Sequence, residues 1–127
     1  MTPSPSNKEE RVVDAITGGE KGSKAVQLVN ILRGAPEDFL TDFGRVYEMG
    51  AKKYSEGNWR KGYAWSLTLN AMARHMVAVM KGQWLDKESG LPHVCHVAWH
   101  CATLYVFKKK MLGNDDVGLD KEVPHDL

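Results

Sequence analysis

The 127-residue chain has the length of one domain, and its 43% hydrophobic and 26% charged residues are typical of a globular protein. Its 17 basic and 16 acidic residues give a formal net charge of +1, so we expect no direct, charge-driven binding to nucleic acid. No apolar run reaches the roughly 18 residues of a membrane span, and the first residues lack the apolar core of a signal peptide. The composition predicts a soluble, cytoplasmic protein without membrane contacts.

Residues 1–24 are rich in Ser, Pro, Gly, Lys and Glu, with several glycines between residues 17 and 24. This composition predicts a flexible N-terminal arm with at most one short helical piece. No P-loop spacing is present, but Lys21 and Lys24 are candidates for contacts with phosphate. Residues 25–33 are apolar enough to pack, yet too few for periodicity to separate a helix from a strand.

The first clear helix is predicted from Pro36 to about Tyr54, with carboxylates in its first turn where the helix dipole favours them. Its apolar residues fall in one arc, so the helix is amphipathic. Glu48 lies in the opposite, polar arc near Arg45 and Lys52, which favours an exposed ion pair. Lys53 lies at the edge of the apolar arc and Tyr54 inside it, so both are candidates to reach a cleft.

Residues 55–62 are predicted to form a loop, which offers the amide of Asn58, the indole of Trp59 and the guanidinium of Arg60. These groups can hydrogen-bond and stack a nucleobase and neutralise phosphate. The alternative is that each packs for structure alone.

A second helix is predicted from Ser66, as its N-cap, to Lys81, with Gly82 ending it. Arg74 lies on its polar side, whereas His75 projects toward the apolar side. If the helical turn persists through Gly82, Asp86 lies on the same line as His75, eleven residues later. The two side chains could share a metal or a water, or form a purely structural hydrogen bond.

Residues 86–90 are predicted to form a turn, and a third helix follows from Pro92 to Gly113 at its C-terminal end. This helix is apolar nearly all round, which predicts burial in a homo-oligomer. His93, His96 and His100 fall within about 60° of one another and form a polar strip across it. The strip could line a metal or phosphate site, or consist of histidines satisfied by core hydrogen bonds or facing solvent.

Three helices without alternating strand patterns predict an all-α fold. We expect a helical domain over residues 25–113, between the flexible arm at 1–24 and an acidic tail at 114–127 that is solvated or loosely docked.

Several spaced motifs, taken together, resemble the phage-type dATP/dGTP diphosphohydrolase N-terminal family over about residues 11–116. They are the segments at 17–24, 50–54 (Gly-Ala-Lys-Lys-Tyr), 58–62 (Asn-Trp-Arg-Lys-Gly), 74–75 (Arg-His), 82–86 and 88–96 (Glu-Ser-Gly-Leu-Pro-His-x-x-His). That family resembles the all-α, metal-dependent, oligomeric MazG-type pyrophosphohydrolases. The resemblance implies a MazG-like helical bundle, a dimer or tetramer, that hydrolyses purine deoxynucleoside triphosphates to monophosphate and pyrophosphate. For a phage-encoded protein, it implies a role in the host cytoplasm, in nucleotide pools or precursors of modified DNA.

Combined with the resemblance, the candidate residues give a site hypothesis with Mg²⁺ or Mn²⁺ as cofactor. The predicted metal ligands are Asp86, His93, His96 and Gln83. The predicted catalytic residues are Asp86, His75 and His93. The predicted substrate-binding residues are Lys53, Tyr54, Asn58, Trp59, Arg74, Lys21 and Lys24.

Two departures from the families leave an alternative open. Gln83 stands where the family usually has Glu, and a neutral amide binds a divalent cation less well than a carboxylate. MazG-type enzymes also carry an ExxE pair, for which only Glu48 lies near the corresponding place. The alternative function is a catalytically weak, nucleotide-binding or regulatory protein on the same scaffold.

Overall fold

The computed structural model describes residues 9–24 and 28–121. They belong to two compact units that divide between Pro36 and Glu37, and each unit is described by itself. Helices dominate the described residues, with one small two-stranded sheet, so the chain is mostly helical rather than purely α. No helix among the described residues is long and apolar enough to cross a membrane.

The first unit holds a β-hairpin followed by a short helix. Strand β1 (Glu9–Val13) pairs antiparallel with β2 (Glu20–Lys24), and helix α1 spans Val29–Gly34. The Asp14 carboxylate accepts the backbone amides of Ile16 and Thr17 at 2.9 and 2.8 Å and so closes the turn between the strands. The expectation of at most a helical piece in residues 1–24 is therefore wrong. Strand β1 is exposed along its whole length, so no buried face imposes an alternating pattern.

The second unit contains the three predicted helices, whose existence and approximate limits are confirmed. They are α2 (Glu37–Lys53), α3 (Trp65–Met80) and α4 (His93–Lys110), with a short 3₁₀ helix (Asn58–Lys61) between α2 and α3. Helix α4 packs against both α3 and α2. The largest fully buried side chains come from α3 and α4: Trp65, Phe107, Thr68, Thr103 and Cys95.

Two predicted helix ends differ in the structure. Ser66 is not the N-cap of α3, because the helix begins one residue earlier, at Trp65. The amide and hydroxyl of Ser66 instead donate to the Asp116 carboxylate at 2.9 and 2.5 Å. Helix α4 ends before Gly113, because Met111 already adopts the left-handed conformation at φ 52°.

The segment after α4 is held against the start of α3 by a close backbone approach. Gly113 has φ +74°, and a Cβ added there would lie 2.2 Å from the carbonyl oxygen of Tyr63. The Trp65 amide and indole donate to the carbonyls of Asn114 and Leu112 at 2.9 and 2.7 Å. Gly113 therefore serves this approach rather than the end of α4. Residues 122–127 of the predicted acidic tail lie outside the described residues.

Candidate functional site

Two histidines and one aspartate from three consecutive segments meet in the second unit. His75 lies within α3, His93 is the first residue of α4, and Asp86 belongs to the segment between them. The Nδ1 atoms of His75 and His93 are 2.8 Å apart. One ligand atom from each of the three residues lies within 4.8 Å of the other two, so the group could hold a metal ion. We call this group the His-Asp-His triad.

A tight loop, not a continuing helix, brings Asp86 to the histidines. Helix α3 ends at Met80, and Gly82, with φ +83°, redirects the chain. The Asp86 amide donates to the Leu91 carbonyl at 2.8 Å, and the His93 amide donates to the Trp84 carbonyl at 2.9 Å. The proposed route by helical persistence through Gly82 is thus wrong, although the two side chains do come together.

Ser89 connects Asp86 to a third histidine. Its amide and hydroxyl donate to Asp86 Oδ2 at 2.9 and 2.8 Å. Because that hydroxyl has one proton, Nε2–H of His96 donates to Ser89 Oγ, at 2.8 Å. The His96 ring also stacks on His75, with centroids 4.6 Å apart. His96, predicted as a metal ligand, lies beside the triad rather than in it, with Nε2 at 3.7 Å from Asp86 Oδ2.

Burial and hydrogen bonding set the charges of this cluster. Burial lowers the pKa of His75 and of His96, which favours neutral imidazoles. Burial by itself raises the pKa of Asp86, but the hydrogen bonds from Ser89, together with His96 and His75, outweigh it and lower the pKa. Neutral imidazole and ionised carboxylate are the forms in which these side chains bind metal.

His100, the last residue of the predicted strip, has a different partner. Its Nδ1 hydrogen-bonds with the buried Thr68 hydroxyl at 2.5 Å, and burial lowers its pKa to about 4. Its ring lies against Trp99, with centroids 5.0 Å apart. His100 is therefore a histidine satisfied by a core hydrogen bond, the alternative that the spacing left open.

A cavity of about 350 Å³ opens beside the triad. Its lining residues are Gln83, Leu85, Asp86, Lys87 and His93. Gln83, predicted as a ligand, lines this cavity next to Asp86 and His93, and its role as a ligand stays a prediction. Sequence reasoning missed Lys87 and Ser89. The Asp-x-x-Ser spacing, typical of a turn in which the aspartate carboxylate accepts from the serine amide, was the available signal for Ser89.

A second cavity, of about 270 Å³, lies between the end of α2 and the 3₁₀ helix. We call it the aromatic cleft. It brings together three of the predicted substrate-binding residues, Tyr54, Asn58 and Trp59, and Arg60 stacks on Trp59 with its guanidinium carbon 5.2 Å from the ring centroid. Glu48 also lines it and is exposed, as predicted, but the predicted ion pair is wrong: within the described residues Arg45 pairs with Asp42, at 3.0 Å.

The remaining predicted substrate-binding residues are cationic. Lys53 Nζ donates to Glu88 Oε1 at 3.0 Å and so contacts the turn that carries Asp86. Arg74 is exposed on α3 next to His75. Lys21 is exposed in β2 of the first unit, and Lys24 ends that strand, its side chain lying outside the described residues. Their contacts with substrate stay predictions.

Comparison with known proteins gives a family and one partial relative. A family model described as dATP/dGTP diphosphohydrolase, N-terminal, matches residues 15–116. A protein of Salmonella phage PMBT28 named dATP/dGTP diphosphohydrolase is 35% identical over 60 residues. That match covers 47% of this chain and 20% of the phage protein, so the similarity spans about a fifth of the relative's length. No solved structure matches the chain.

Proposed function

The chain belongs to the dATP/dGTP diphosphohydrolase N-terminal family, and from this premise we propose that it hydrolyses purine deoxynucleoside triphosphates, dGTP and dATP. The products are the deoxynucleoside monophosphate and pyrophosphate, and the reaction depends on a metal. The observation that carries the proposal is the His-Asp-His triad, with Asp86 and His93 in the wall of a cavity of about 350 Å³. The name of the phage relative supports the substrate class.

The triad fits a divalent cation such as Mg²⁺ or Mn²⁺. His75 and His93 present Nδ1 atoms to each other at 2.8 Å, and Asp86 adds a carboxylate oxygen. A cation bound there would neutralise phosphate charge and supply an activated water.

Other residues near the triad orient the ligands and handle phosphate charge. Ser89, with its amide and hydroxyl on one oxygen of Asp86, holds that carboxylate in place, and His96 holds Ser89. Lys87 lines the cavity, and its cationic side chain is the group we assign to neutralising phosphate oxygens. We assign Lys53 and Arg74 the same role.

The aromatic cleft is our proposed site for the purine and its sugar. Tyr54 and Trp59 offer ring faces on which a base can stack, and the Asn58 amide offers both a donor and an acceptor to a base edge. Trp59 packs edge-on against Tyr47 and Trp99, with centroids 6.5 and 6.2 Å away, so its ring is held in place.

Gln83 favours the second candidate, a catalytically weak nucleotide-binding or regulatory protein. It lines the cavity beside Asp86 with an amide in place of a carboxylate. The substitution Gln83→Glu separates the two functions. A large gain in turnover indicates an impaired natural protein, whereas no gain indicates that the amide belongs to a competent site.

We further propose a MazG-like bundle that assembles as a homo-oligomer, a dimer or tetramer, and acts in phage nucleotide-pool or modified-DNA precursor metabolism in the host cytoplasm. Large apolar side chains remain exposed on α3 and α4, and a second copy would cover them: Leu67, Met76, Val77, Met80 and Tyr105. Light scattering of the purified protein measures the assembly directly.

The test of the function is product analysis with dGTP, dATP, dCTP and dTTP, each with Mg²⁺, with Mn²⁺ and with neither. We expect pyrophosphate and monophosphate in equal amounts from the two purine nucleotides, only with metal. Orthophosphate with a diphosphate, or tripolyphosphate with a nucleoside, would contradict the proposed scissile bond. Thermal stabilisation by nucleotide without any product would favour the regulatory alternative.

A further inference from the structure

We propose that the His-Asp-His triad selects a first-row transition metal ion, such as Mn²⁺ or Co²⁺, over Mg²⁺. This inference rests on the proposed function, since it concerns the metal that the same site would hold. It narrows the cofactor from a divalent cation in general to a class set by the donor atoms of His75, Asp86 and His93.

The donor set carries the inference. Two of the three grouped atoms are imidazole nitrogens and one is a carboxylate oxygen. Mg²⁺ is held in proteins through carboxylates, substrate phosphates and waters, whereas imidazole suits transition metals. Two imidazoles and one carboxylate on one side of an ion form a combination typical of transition-metal enzymes, and it leaves positions for substrate oxygens and water.

Among the residues that the structure describes, no second carboxylate joins the triad in a way that would favour Mg²⁺. Glu88, the other acidic residue of the 86–90 turn, pairs with Lys53 at 3.0 Å. Gln83, in the cavity wall, offers a neutral amide oxygen. Asp86 Oδ2 accepts the amide and hydroxyl of Ser89, which fixes the orientation of the one carboxylate in the triad.

The two histidines are also held as a pair. His93 is 7% exposed, and its backbone amide is bonded to Trp84. The His75 ring is stacked on His96 with the planes 7° apart. Because both rings are fixed by packing, their nitrogens face each other before any ion binds, and little ordering is needed for coordination.

The experiment measures metal binding without substrate. Protein freed of metal by chelation is titrated with Mg²⁺, Mn²⁺ and Co²⁺, followed by equilibrium dialysis and by thermal unfolding, and the Co²⁺ form is followed by its visible absorption. We expect affinity to rise from Mg²⁺ to Mn²⁺ to Co²⁺, because imidazole nitrogens bind transition-metal ions better than Mg²⁺ and affinity increases from Mn²⁺ to Co²⁺ at a given site. Equal or tighter binding of Mg²⁺ would overturn the inference.

Two variants assign the binding to the triad. His75→Ala should weaken Co²⁺ binding by at least about 100-fold, the upper end of what loss of an outer partner costs. His75→Asp replaces a nitrogen donor by oxygen and should reduce the ratio of Co²⁺ affinity to Mg²⁺ affinity. General damage to the fold would weaken the binding of both ions without changing that ratio in favour of Mg²⁺. Unchanged Co²⁺ affinity in a folded His75→Ala protein, or an unchanged preference in His75→Asp, would place the metal elsewhere.

The two proposals fail in different ways. Tight Co²⁺ binding without hydrolysis of any nucleotide leaves the metal inference standing and removes the enzymatic function. Hydrolysis with Mg²⁺ together with weak transition-metal binding removes the inference and leaves the function.

Discussion

The Nδ1 atoms of His75 and His93 lie 2.8 Å apart, although one residue lies within α3 and the other begins α4. At this distance the two nitrogens either share one proton in a hydrogen bond or bind one ion together. Asp86, the third member of the triad, reaches them through the loop that joins the two helices. The candidate metal-binding residues therefore lie at the junction of α3 and α4.

Ser89→Ala should weaken metal binding at the triad by roughly 10–100-fold, the usual cost of losing an outer partner. The reason is that the Ser89 hydroxyl donates to Asp86 Oδ2 and accepts from His96. Equilibrium dialysis with Mn²⁺ measures the loss.

Ser89→Thr, which keeps the hydroxyl, is the matched control and should retain most of the affinity. An Ala variant that binds Mn²⁺ as tightly as the wild type, with the same urea midpoint, would show that Ser89 only shapes the turn.

Trp59→Ala should raise KM for dGTP about 10-fold or more while changing kcat less, because stacking of a base on an aromatic ring contributes about 1–3 kcal/mol. Trp59→Phe keeps an aromatic face in the aromatic cleft and is the matched control, with KM close to that of the wild type. Steady-state kinetics on both variants gives the comparison. Equal KM values for Trp59→Ala and the wild type would show that the base does not stack on Trp59 in the aromatic cleft.

Substitution by valine should have opposite effects on the free energy of unfolding at two buried threonines, Thr68 and Thr103. Thr103 is fully buried and its hydroxyl has no partner among the described residues, so Thr103→Val should leave the free energy of unfolding unchanged or raise it by about 1 kcal/mol. Thr68→Val should lower it by about 1–3 kcal/mol, because His100 Nδ1 loses its hydrogen bond. Urea denaturation measures both. A larger loss of unfolding free energy for Thr103→Val than for Thr68→Val would contradict the assignment of His100 as the partner of Thr68.

Asp116 should make the stability of α3 depend on acid pH. Hydrogen bonds from the hydroxyl and then the amide of Ser66 lower its pKa from 3.8. A lowered carboxyl pKa in the folded state stabilises the fold above the unfolded pKa, and that contribution is lost as pH falls through the folded pKa. Asp116→Asn should therefore be less stable than the wild type at pH 7, with the difference shrinking below about pH 4. Urea denaturation at pH 7 and below about pH 4 tests this. A difference in stability that does not change with pH would show that the Asp116 charge does not act through its hydrogen bonds with Ser66.

The three long helices could be predicted from the sequence because each has an apolar arc or a clear terminal signal, as Pro36 and Pro92 provide. The partner of each histidine could not be predicted. His93, His96 and His100 share one face of α4, yet they meet His75, Ser89 and Thr68 respectively. Spacing along a helix gives the direction of a side chain but not the group that the facing segment places opposite it.

Three features were predicted wrongly: the hairpin, the role of Gly113 and the route from His75 to Asp86. Each depends on contacts outside its own segment or on the geometry of a single turn. The Glu9–Val13 strand buries no face, so its sequence lacks the alternating pattern, and the hairpin depends on the turn that Asp14 closes. Gly113 was predicted to end α4 because helices often end at glycine, but its positive φ serves the approach to Tyr63. Asp86 came near His75 by way of Gly82 and a loop that a helical wheel does not represent.

The most direct test of the account is the rate of pyrophosphate release from dGTP with Mn²⁺ by the wild type, Asp86→Asn and Asp38→Asn. Asp86 is the carboxylate of the triad, whereas Asp38 is an exposed carboxylate in the first turn of α2. We expect a loss of at least about 100-fold for Asp86→Asn, with wild-type rates for Asp38→Asn. Equal rates for Asp86→Asn and the wild type would remove the triad from the reaction.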